Sequence, residues 1–531
     1  MAQKRVLPKI CIALGLPTLE RLLENAQREA EAGETFLEFR LDYLPDPEKG
    51  AQAISGFLKE FPECMVLATC RRHHNHGRFN GGTGDQLRIL EIAVENGACA
   101  VDVEIETAEL VASKLSMFSG RAQLIVSYHN FENTPQIDQV IRRMTRVPAD
   151  IYKLVTTARK PSDAARVLAA AKSSSRVRMV VLAMGELGFP TRVLSTSWGG
   201  IFTYAAPMHA QATAAGQVSA RQLRHLYRIE KFTKAAKVYG VVADPVRHSL
   251  SPVIHNRAFQ SRRLDAVYLP FLVSPPQLRD FFVAAEKTSI AGFSVTIPHK
   301  QRVVRYLDIV DPLARRVGAV NTVWKKAGKW RGTNTDAAGV VTPLAKHLRL
   351  ANATVLVAGN GGAARGAASA LIEAGAKVSI VGRNPDRVRA LGRMCGGEPL
   401  LRDQLESRKF DVLVHATPLG MWPNVNDCFF RDAIPADIVF DMVYNPLETL
   451  LIQHAREQGK TVVHGLEMFI EQAARQFDIW TGESAPRAIM EKAAIEALEA
   501  KATEAKATEA KATEAKATEA KAPESKATDT K

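Results

Sequence analysis

The strongest constraint on the fold of this chain is an alternation. Between Lys9 and Ala206, eight short and mostly apolar runs recur: Lys9–Gly15, Thr35–Asp42, Met65–Cys70, Ala100–Ile105, Gln123–His129, Ile151–Ala158, Arg178–Met184 and Ile201–Ala206. Helical patterns lie between them, for example Leu19–Ala32 and Gly84–Asn96. A strand that is apolar throughout must be covered on both faces, as parallel strands crossed by helices are. Eight consecutive β/α units predict a closed (βα)8 TIM barrel. A doubly wound open sheet is the alternative that the pattern alone leaves standing.

A second α/β pattern begins at Val238, after a helix and connector expected over Ser219–Lys237. Strands are expected at Val267–Phe271 and Gly292–Val295, with a helix from Pro276 to Lys287. A further break falls near Leu350, and Thr354–Ala358 then reads as a strand running into glycines. From about Ala500 the sequence repeats Lys-Ala-Thr-Glu-Ala. Such a tail has nothing large to bury and is expected to be disordered or a loose, solvated helix. The expected division is a barrel over 1–232, a substrate lobe over 238–345, a dinucleotide lobe with a returning helix over 346–485, and a low-complexity tail over 500–531.

A chain of 531 residues, 46% apolar, can bury several cores. It contains no apolar run of about 18 residues and its start lacks a signal-peptide layout, so no membrane span or secretion is expected. The six cysteines form no C-x-x-C pair. Reduced thiols, a cytoplasmic location and no metal site follow as expectations. The net charge of +14 raises nucleic-acid binding as a possibility. No recognised nucleic-acid motif accompanies it, and anionic small substrates account better for the arginines. The oligomeric state stays open.

The segment Val355–Leu371 runs strand, glycine turn, small-residue helix. Gly359 permits the tight turn, and Gly361 lets the backbone approach a pyrophosphate. Gly362 and Ala363 open a helix whose N-terminus attracts phosphate. Lys377–Val381 supplies the next strand, followed by Gly382-Arg383-Asn384 and then Arg387. An acid there would bind a ribose 2′-hydroxyl. Arginines suit a 2′-phosphate instead, which favours NADP over NAD.

The preceding loops carry Ser249-Leu-Ser251-Pro-Val-Ile-His-Asn, Phe293-Ser-Val-Thr296-Ile-Pro-His-Lys300, Gly318-Ala-Val-Asn321 and Gly332-Thr-Asn-Thr-Asp336. Further on come Ala416-Thr417-Pro-Leu-Gly420-Met421, Asp441-Met-Val-Tyr444-Asn-Pro and Gly465-Leu-Glu-Met468-Phe-Ile-Glu-Gln472. From Val238 to about Thr481 the chain resembles shikimate dehydrogenase. The resemblance implies that Lys300 and Asp336 form a catalytic pair. Ser249, Ser251, Thr296, Asn321, Tyr444 and Gln472 would hold the substrate, and Thr417, Gly465 and Met468 would lie on the cofactor side. One departure is His415, where that family usually has Asn.

The first unit carries Leu37-Glu38-Phe-Arg40-Leu-Asp42, Val126-Ser-Tyr-His129, Asp150-Ile-Tyr-Lys153 and Thr213-Ala-Ala-Gly-Gln217. On these segments, from about Pro8 to Leu226, it resembles type I 3-dehydroquinate dehydratase. The resemblance implies that Lys153 forms a Schiff base with a substrate ketone, helped by desolvation and nearby cations. His129 would move the protons. Arg71 and Arg192 would bind carboxylate and hydroxyls, and Glu38, Arg40, Thr213 and Gln217 would complete the pocket. That family usually has Glu-Gly-Gly after its third strand, with the acid supporting the histidine. This chain has a longer basic loop, Arg71–Gly82, with Asn80 at that place. Slower dehydration is expected unless Glu104 compensates.

The whole reading is a bifunctional enzyme: dehydration of 3-dehydroquinate, then NADPH-dependent reduction of 3-dehydroshikimate to shikimate. Rivals are an enzyme with only the dehydrogenase half active, on shikimate or quinate, and a basic regulatory or binding protein built on enzyme folds.

Overall fold

The computed structural model describes residues 6–519 except 174–176, 209–212, 214–215, 248 and 406. The chain divides into two compact units. One comprises Met1–Pro252, Arg263–Val310 and Thr322–Gly332; the other comprises Val253–Arg262, Asp311–Asn321 and Thr333–Lys531.

The first unit opens with eight strands: β1 Ile10–Leu14, β2 Phe36–Arg40, β3 Met65–Thr69, β4 Ala100–Glu104, β5 Gln123–His129, β6 Ile151–Thr157, β7 Met179–Met184 and β8 Thr203–Ala205. They form one sheet in the order β7-β6-β5-β4-β3-β2-β1-β8. Adjacent strands along that order are parallel, as the apolar runs required. The barrel is nearly closed rather than fully laddered. Among the described residues, Ile201 N, just before β8, donates to Met179 O of β7 at 2.8 Å across the seam. The eighth strand is only three residues long, shorter than the expected Ile201–Ala206.

Strand parity sorts the barrel interior. Side chains two apart share a face. Cys11, Phe36, Leu67, Ala100, Ile125, Ile151 and Phe202 form an apolar layer. The inward positions beyond them, toward the C-terminal strand ends, are Glu38, Thr69, Asp102, Ser127, Lys153 and Tyr204. The same parity therefore puts a dry floor under a polar mouth.

The same unit contains a mixed sheet of six strands: β9 Lys237–Ala243, β10 Ala266–Leu272, β11 Ile290–Val295, β12 Ile309–Val310, β13 Thr322–Lys326 and β14 Lys329–Thr333. Their order is β10-β9-β11-β13-β14-β12. The expected strands at 267–271 and 292–295 correspond to β10 and β11. The short strands β12 to β14 had no counterpart in the sequence reading. An aromatic core supports the sheet, with Phe281 and Phe293 edge to face at 5.1 Å. The barrel helix Pro161–Ser173 packs on the helix Leu278–Lys287. Asp280 there accepts from Ser162 N at 2.7 Å, and Gln277 donates to Arg159 O at 2.7 Å.

The second unit is built on a six-stranded parallel sheet: β15 Thr354–Ala358, β16 Lys377–Val381, β17 Glu398–Pro399, β18 Phe410–His415, β19 Ala436–Asp441 and β20 Thr461–His464. The order β17-β16-β15-β18-β19-β20 is that of a Rossmann sheet, reversing direction between β15 and β18. The alanines of the helix Gly362–Glu373 let it lie close on this sheet, with Ala364, Ala367 and Ala368 in one core with Val355 and Val357. A final helix covers Arg487–Glu519, so the repeat tail is helical up to that point. The rest of the tail, 520–531, lies outside the described residues. Among the described residues no helix is long and apolar enough to cross a membrane.

Candidate active sites

At the barrel mouth, Lys153 is 4% exposed. It lies opposite Ser127 in the β5–β6 ladder. His129 sits two residues further along β5 and therefore on the same inward face. Lys153 Nζ donates to Asp102 Oδ2 at 2.8 Å and to the Tyr204 hydroxyl at 2.8 Å. Glu38 Oε1 lies 3.6 Å away. The surroundings expected for this lysine were cationic. Its closest charged neighbours are instead two carboxylates, because β2 and β4 both turn an acid inward beside it.

Asp102 and Tyr204 are the residues that sequence reasoning missed. Asp102 also accepts from Ser127 Oγ at 2.6 Å, and Arg71 stands 4.0 Å from it. Burial opposes its charge, but Lys153 and Arg71 outweigh that and hold the carboxyl below the usual range. Glu38 accepts from Thr69 Oγ1 at 2.7 Å. The available signal was parity: Ala100, Asp102 and Glu104 share one face of an otherwise apolar strand. An acid there needs a partner.

His129 is half-buried and stacks on Phe131 with ring centroids 6.0 Å apart. Burial first, then the cations of Arg71, Lys153, Arg40 and His76, hold its imidazole well below the ordinary range. The ring is therefore a proton acceptor at neutral pH. Arg71 is buried, and its Nε has no partner among the described residues, as suits a donor aimed at a ligand anion. Arg192 is buried on the short helix Phe189–Leu194, and burial pushes its guanidinium down to about 10. Thr213 Oγ1 donates to Gln217 Oε1 at 3.2 Å. Arg40 is engaged elsewhere. It makes two bonds of 2.9 Å to Asp42, a fork-to-fork pair that leaves little of it for a substrate.

The loop Arg71–Gly82 folds back on itself, with His73 N bonded to Phe79 O and Phe79 N to Arg71 O. Asn80 is exposed, and its side chain makes no hydrogen bond among the described residues. Glu104 accepts from Arg72 N at 2.8 Å and from Gln86 at 2.6 Å, so it anchors the base of the loop. No hydrogen bond joins Glu104 to His129 among the described residues. The loop's own approach to the site is His76, whose ring lies 4.2 Å from that of Phe131.

The predicted residues of the second half are spread over both units. In the first unit, Ser249, Thr296 and Lys300 are half-buried and Ser251 is buried. Ser249 Oγ accepts from Ser251 N at 3.2 Å. In the second unit, buried Asn321 donates to Asp336 Oδ1 at 2.8 Å and accepts from Thr335 N at 2.8 Å, which fixes the carboxylate's orientation. Tyr444 stacks on Phe469 at 4.8 Å, and burial pushes its phenol up. Gln472 donates to Phe469 O at 2.9 Å.

The dinucleotide site can be tested for fit from its backbone. Gly359 has a φ of 139°, and a Cβ there would meet Ala416 O at 2.7 Å, so only glycine serves. Gly361, Gly362 and Ala363 are exposed at the N-terminus of the helix Gly362–Glu373, and Cβ atoms at both glycines would meet nothing within 4 Å. An open, donor-rich helix start suits a pyrophosphate. Arg383 and Arg387 are exposed after β16, and no acid stands at the strand's end. These residues fit NADP. Two expected contacts have structural duties instead. Asn384 caps the helix Pro385–Cys395 through Arg387 N at 3.0 Å. Gly465 is buried where a Cβ would strike Val443 O at 2.5 Å. Met468 packs on Gly339, and Thr417 accepts from Leu419 N at 3.2 Å.

Comparison with known proteins matches four family models along the chain. Residues 10–234 match type I 3-dehydroquinase and residues 241–323 match the shikimate dehydrogenase substrate binding domain. Residues 343–419 match shikimate/quinate 5-dehydrogenase and residues 465–495 match the shikimate 5′-dehydrogenase C-terminal domain. The bifunctional 3-dehydroquinate dehydratase/shikimate dehydrogenase, chloroplastic, of Arabidopsis thaliana is 35% identical over 90% of this chain and 83% of its own length. The shikimate dehydrogenase (NADP(+)) of Methanosarcina acetivorans is 38% identical over 50% of this chain and 99% of its own. A solved shikimate 5-dehydrogenase of Thermus thermophilus, in complex with NADP(H) and shikimate, is 34% identical over 49% of this chain and 99% of its own, with a TM-score of 0.46. On the extent of the Arabidopsis match, and with both lobes' family models in sequence order, this chain belongs to the family of bifunctional 3-dehydroquinate dehydratase/shikimate dehydrogenases.

Proposed function

We propose that this enzyme dehydrates 3-dehydroquinate at the barrel mouth through a Schiff base on Lys153. It then reduces 3-dehydroshikimate to shikimate with NADPH in the second half. The observation that carries the reading is the buried Lys153 on the same inward face as His129, whose imidazole is kept unprotonated.

In the first reaction Lys153 Nζ, after passing a proton to a neighbouring group, attacks the substrate ketone. Asp102, which accepts from Nζ at 2.8 Å, orients it for the attack. Loss of water gives the iminium, which acidifies the adjacent C–H. His129 takes that proton and returns it to the departing β-hydroxyl, which leaves as water. Hydrolysis of the imine releases 3-dehydroshikimate and restores the lysine. Arg71 and Arg192 bind the substrate carboxylate and hydroxyls. Glu38, Thr213 and Gln217 line the pocket, while Arg40 acts through Asp42 to hold the strand end.

In the second reaction bound NADPH supplies hydride to the ketone carbon. Lys300 stabilises the developing alkoxide and gives it a proton. Asp336, oriented by Asn321, accepts a hydrogen bond from a substrate hydroxyl. Ser249, Ser251, Thr296, Tyr444 and Gln472 hold the remaining polar groups. Gly359, Gly361, Gly362 and Ala363 receive the pyrophosphate, Arg383 and Arg387 the 2′-phosphate, and Thr417 and Met468 complete the cofactor's surroundings.

The functional division follows 1–232, 238–345 and 346–485, with the repeat from 500 outside both reactions. Joining both catalysts on one chain raises the local concentration of the intermediate for the second step. A cytoplasmic location and small-molecule substrates, without nucleic-acid or membrane partners, complete the reading. None of the six cysteines forms a disulfide among the described residues, in keeping with a reducing compartment.

A coupled assay tests this directly. With 3-dehydroquinate and NADPH, absorbance at the nicotinamide band should fall only if both sites work. Lys153→Ala should abolish that signal while leaving reduction of added 3-dehydroshikimate intact. Lys300→Ala should abolish NADPH oxidation with either substrate while leaving dehydration of 3-dehydroquinate intact. Borohydride with 3-dehydroquinate should trap adduct mass on the wild type and none on Lys153→Ala. Turnover without a trapped adduct would overturn the covalent route.

A further inference from the structure

The second unit contains a buried polar chain that the reaction scheme above does not use. His415, the last residue of β18, is 1% exposed and stands beside Asp441, the last residue of β19, which is 0% exposed. His415 Nδ1 donates to Asp441 Oδ1 at 2.8 Å. The same carboxylate accepts from Val443 N at 3.0 Å and from Thr449 Oγ1 at 2.6 Å. A carboxylate can only accept, so Nδ1 carries a proton. A singly protonated ring then accepts the Thr417 hydroxyl at Nε2, over 2.5 Å. Thr417 Oγ1 in turn accepts from Leu419 N at 3.2 Å.

The chain Asp441–His415–Thr417 is aimed at the dinucleotide turn. Ala416 lies between its two polar neighbours. Its N–H donates to Ala358 O at 2.8 Å, and its carbonyl is the atom that a Cβ on Gly359 would strike at 2.7 Å. The far end of the 417–420 turn is tied to the same group, for Gly420 packs on Thr449, whose hydroxyl donates to Asp441. One carboxylate thus holds both ends of the turn that walls the glycine loop. A histidine packed only to fill space would not need both ring nitrogens engaged.

We infer that His415 is a positioning residue for the nicotinamide cofactor. Through its bond to Asp441 it fixes the Thr417 hydroxyl and the Ala416 carbonyl, and so sets the width of the slot between the glycine turn and the 417–420 turn. The inference rests on the reading of this unit as the NADP site. Asn would offer the same pairing on a shorter arm: an N–H for Asp441 and a carbonyl for Thr417.

The test uses the full chain and NADP+ itself, titrated by calorimetry. His415→Ala is expected to weaken NADP+ roughly tenfold, the worth of one hydrogen bond to a charged group. KM for shikimate at saturating NADP+ should stay within about twofold. The rate of 3-dehydroquinate dehydration should not change, which controls for folding. His415→Asn should restore NADP+ affinity to within about threefold of the wild type, because the pairing is restored. If His415→Ala does not fold, His415→Phe carries the same expectation, since it fills the space and removes both ring nitrogens. Wild-type affinity in His415→Ala, or in His415→Phe, overturns the inference. So does an Asn variant as weak as the Ala variant, which would make the ring a filler. A wild type that does not bind NADP+ at all overturns the cofactor reading itself, and is told apart by needing no variant.

Discussion

Replacing Asp102 with Asn removes one of four charges gathered within the barrel mouth. Two are anionic, Glu38 and Asp102, and two cationic, Lys153 and Arg71, all of them buried. The balance is local, because Asp102 touches Lys153 at 2.8 Å and Arg71 at 4.0 Å. Removing one partner of a buried ion pair costs about 3–5 kcal/mol, mostly the penalty of the charge left behind. Asn keeps the volume and can still accept from Ser127, so the low end applies, about 3 kcal/mol. At about 2–4 °C per kcal/mol for a lobe of this size, the barrel transition should fall by about 6–12 °C. Differential scanning calorimetry of the full chain reads it, with dehydratase turnover expected to fall and shikimate oxidation to persist. A double-mutant cycle sharpens the test. Lys153→Met removes the opposing charge, so combining it with Asp102→Asn should recover about 1–3 kcal/mol relative to additivity. A single-variant shift under about 2 °C, or a strictly additive double variant, would refute the claim that these two groups stabilise each other.

Three further outcomes are expected. The dehydration needs His129 unprotonated, and burial with the neighbouring cations holds its imidazole well below the ordinary range. The profile of kcat/KM for dehydration should therefore stay flat as pH falls from about 8 through the ordinary imidazole range and bend only below it; an acidic limb at or above 6.5 would falsify this. The same shift has a stability sign: the unfolded histidine takes a proton more readily than the folded one. Its contribution is full above the unfolded pKa and is lost as pH falls toward the folded one. Arg383→Ser should weaken NADPH by roughly 10–100-fold and leave NADH nearly unchanged, in steady-state KM with either cofactor. Asn80→Glu should raise the dehydration rate by returning an acid to the loop, and an unchanged kcat would mean that the basic loop already supplies the support.

Much of this was legible because the chemistry sits on regular elements. His129 ends the run Gln123–His129, and Lys153 is the one charged residue within the buried run Ile151–Thr157, where it faces the barrel interior. Asp102 was missed inside the run Ala100–Ile105, where apolarity alone was counted and alternation was not. Tyr204 lies inside the expected run Ile201–Ala206, where again alternation was not counted. Arg40 and Asp42 are two apart and pair with each other, a local match that competes with any ligand for the guanidinium. Asn384 stands just before Pro385, which is the signature of a helix cap as much as of a cofactor contact. The edge strands β12 and β17 are two residues each and depend on their neighbours rather than on their own sequence.

The pairing of the barrel's first strand with its last has a consequence in time. Strand β1 pairs with β8, and Ile10 waits for Thr203 as its partner. A ribosome adding about 5–20 residues per second needs roughly 10–40 seconds to make the intervening chain. Throughout that interval β1 offers an unpaired parallel edge, the feature most prone to wrong pairing. The strand that relieves it is short and is made last, immediately before the dehydrogenase half begins to emerge. The nascent barrel therefore carries an unpaired edge over its first two hundred residues and loses it only as synthesis nears the second half of the chain.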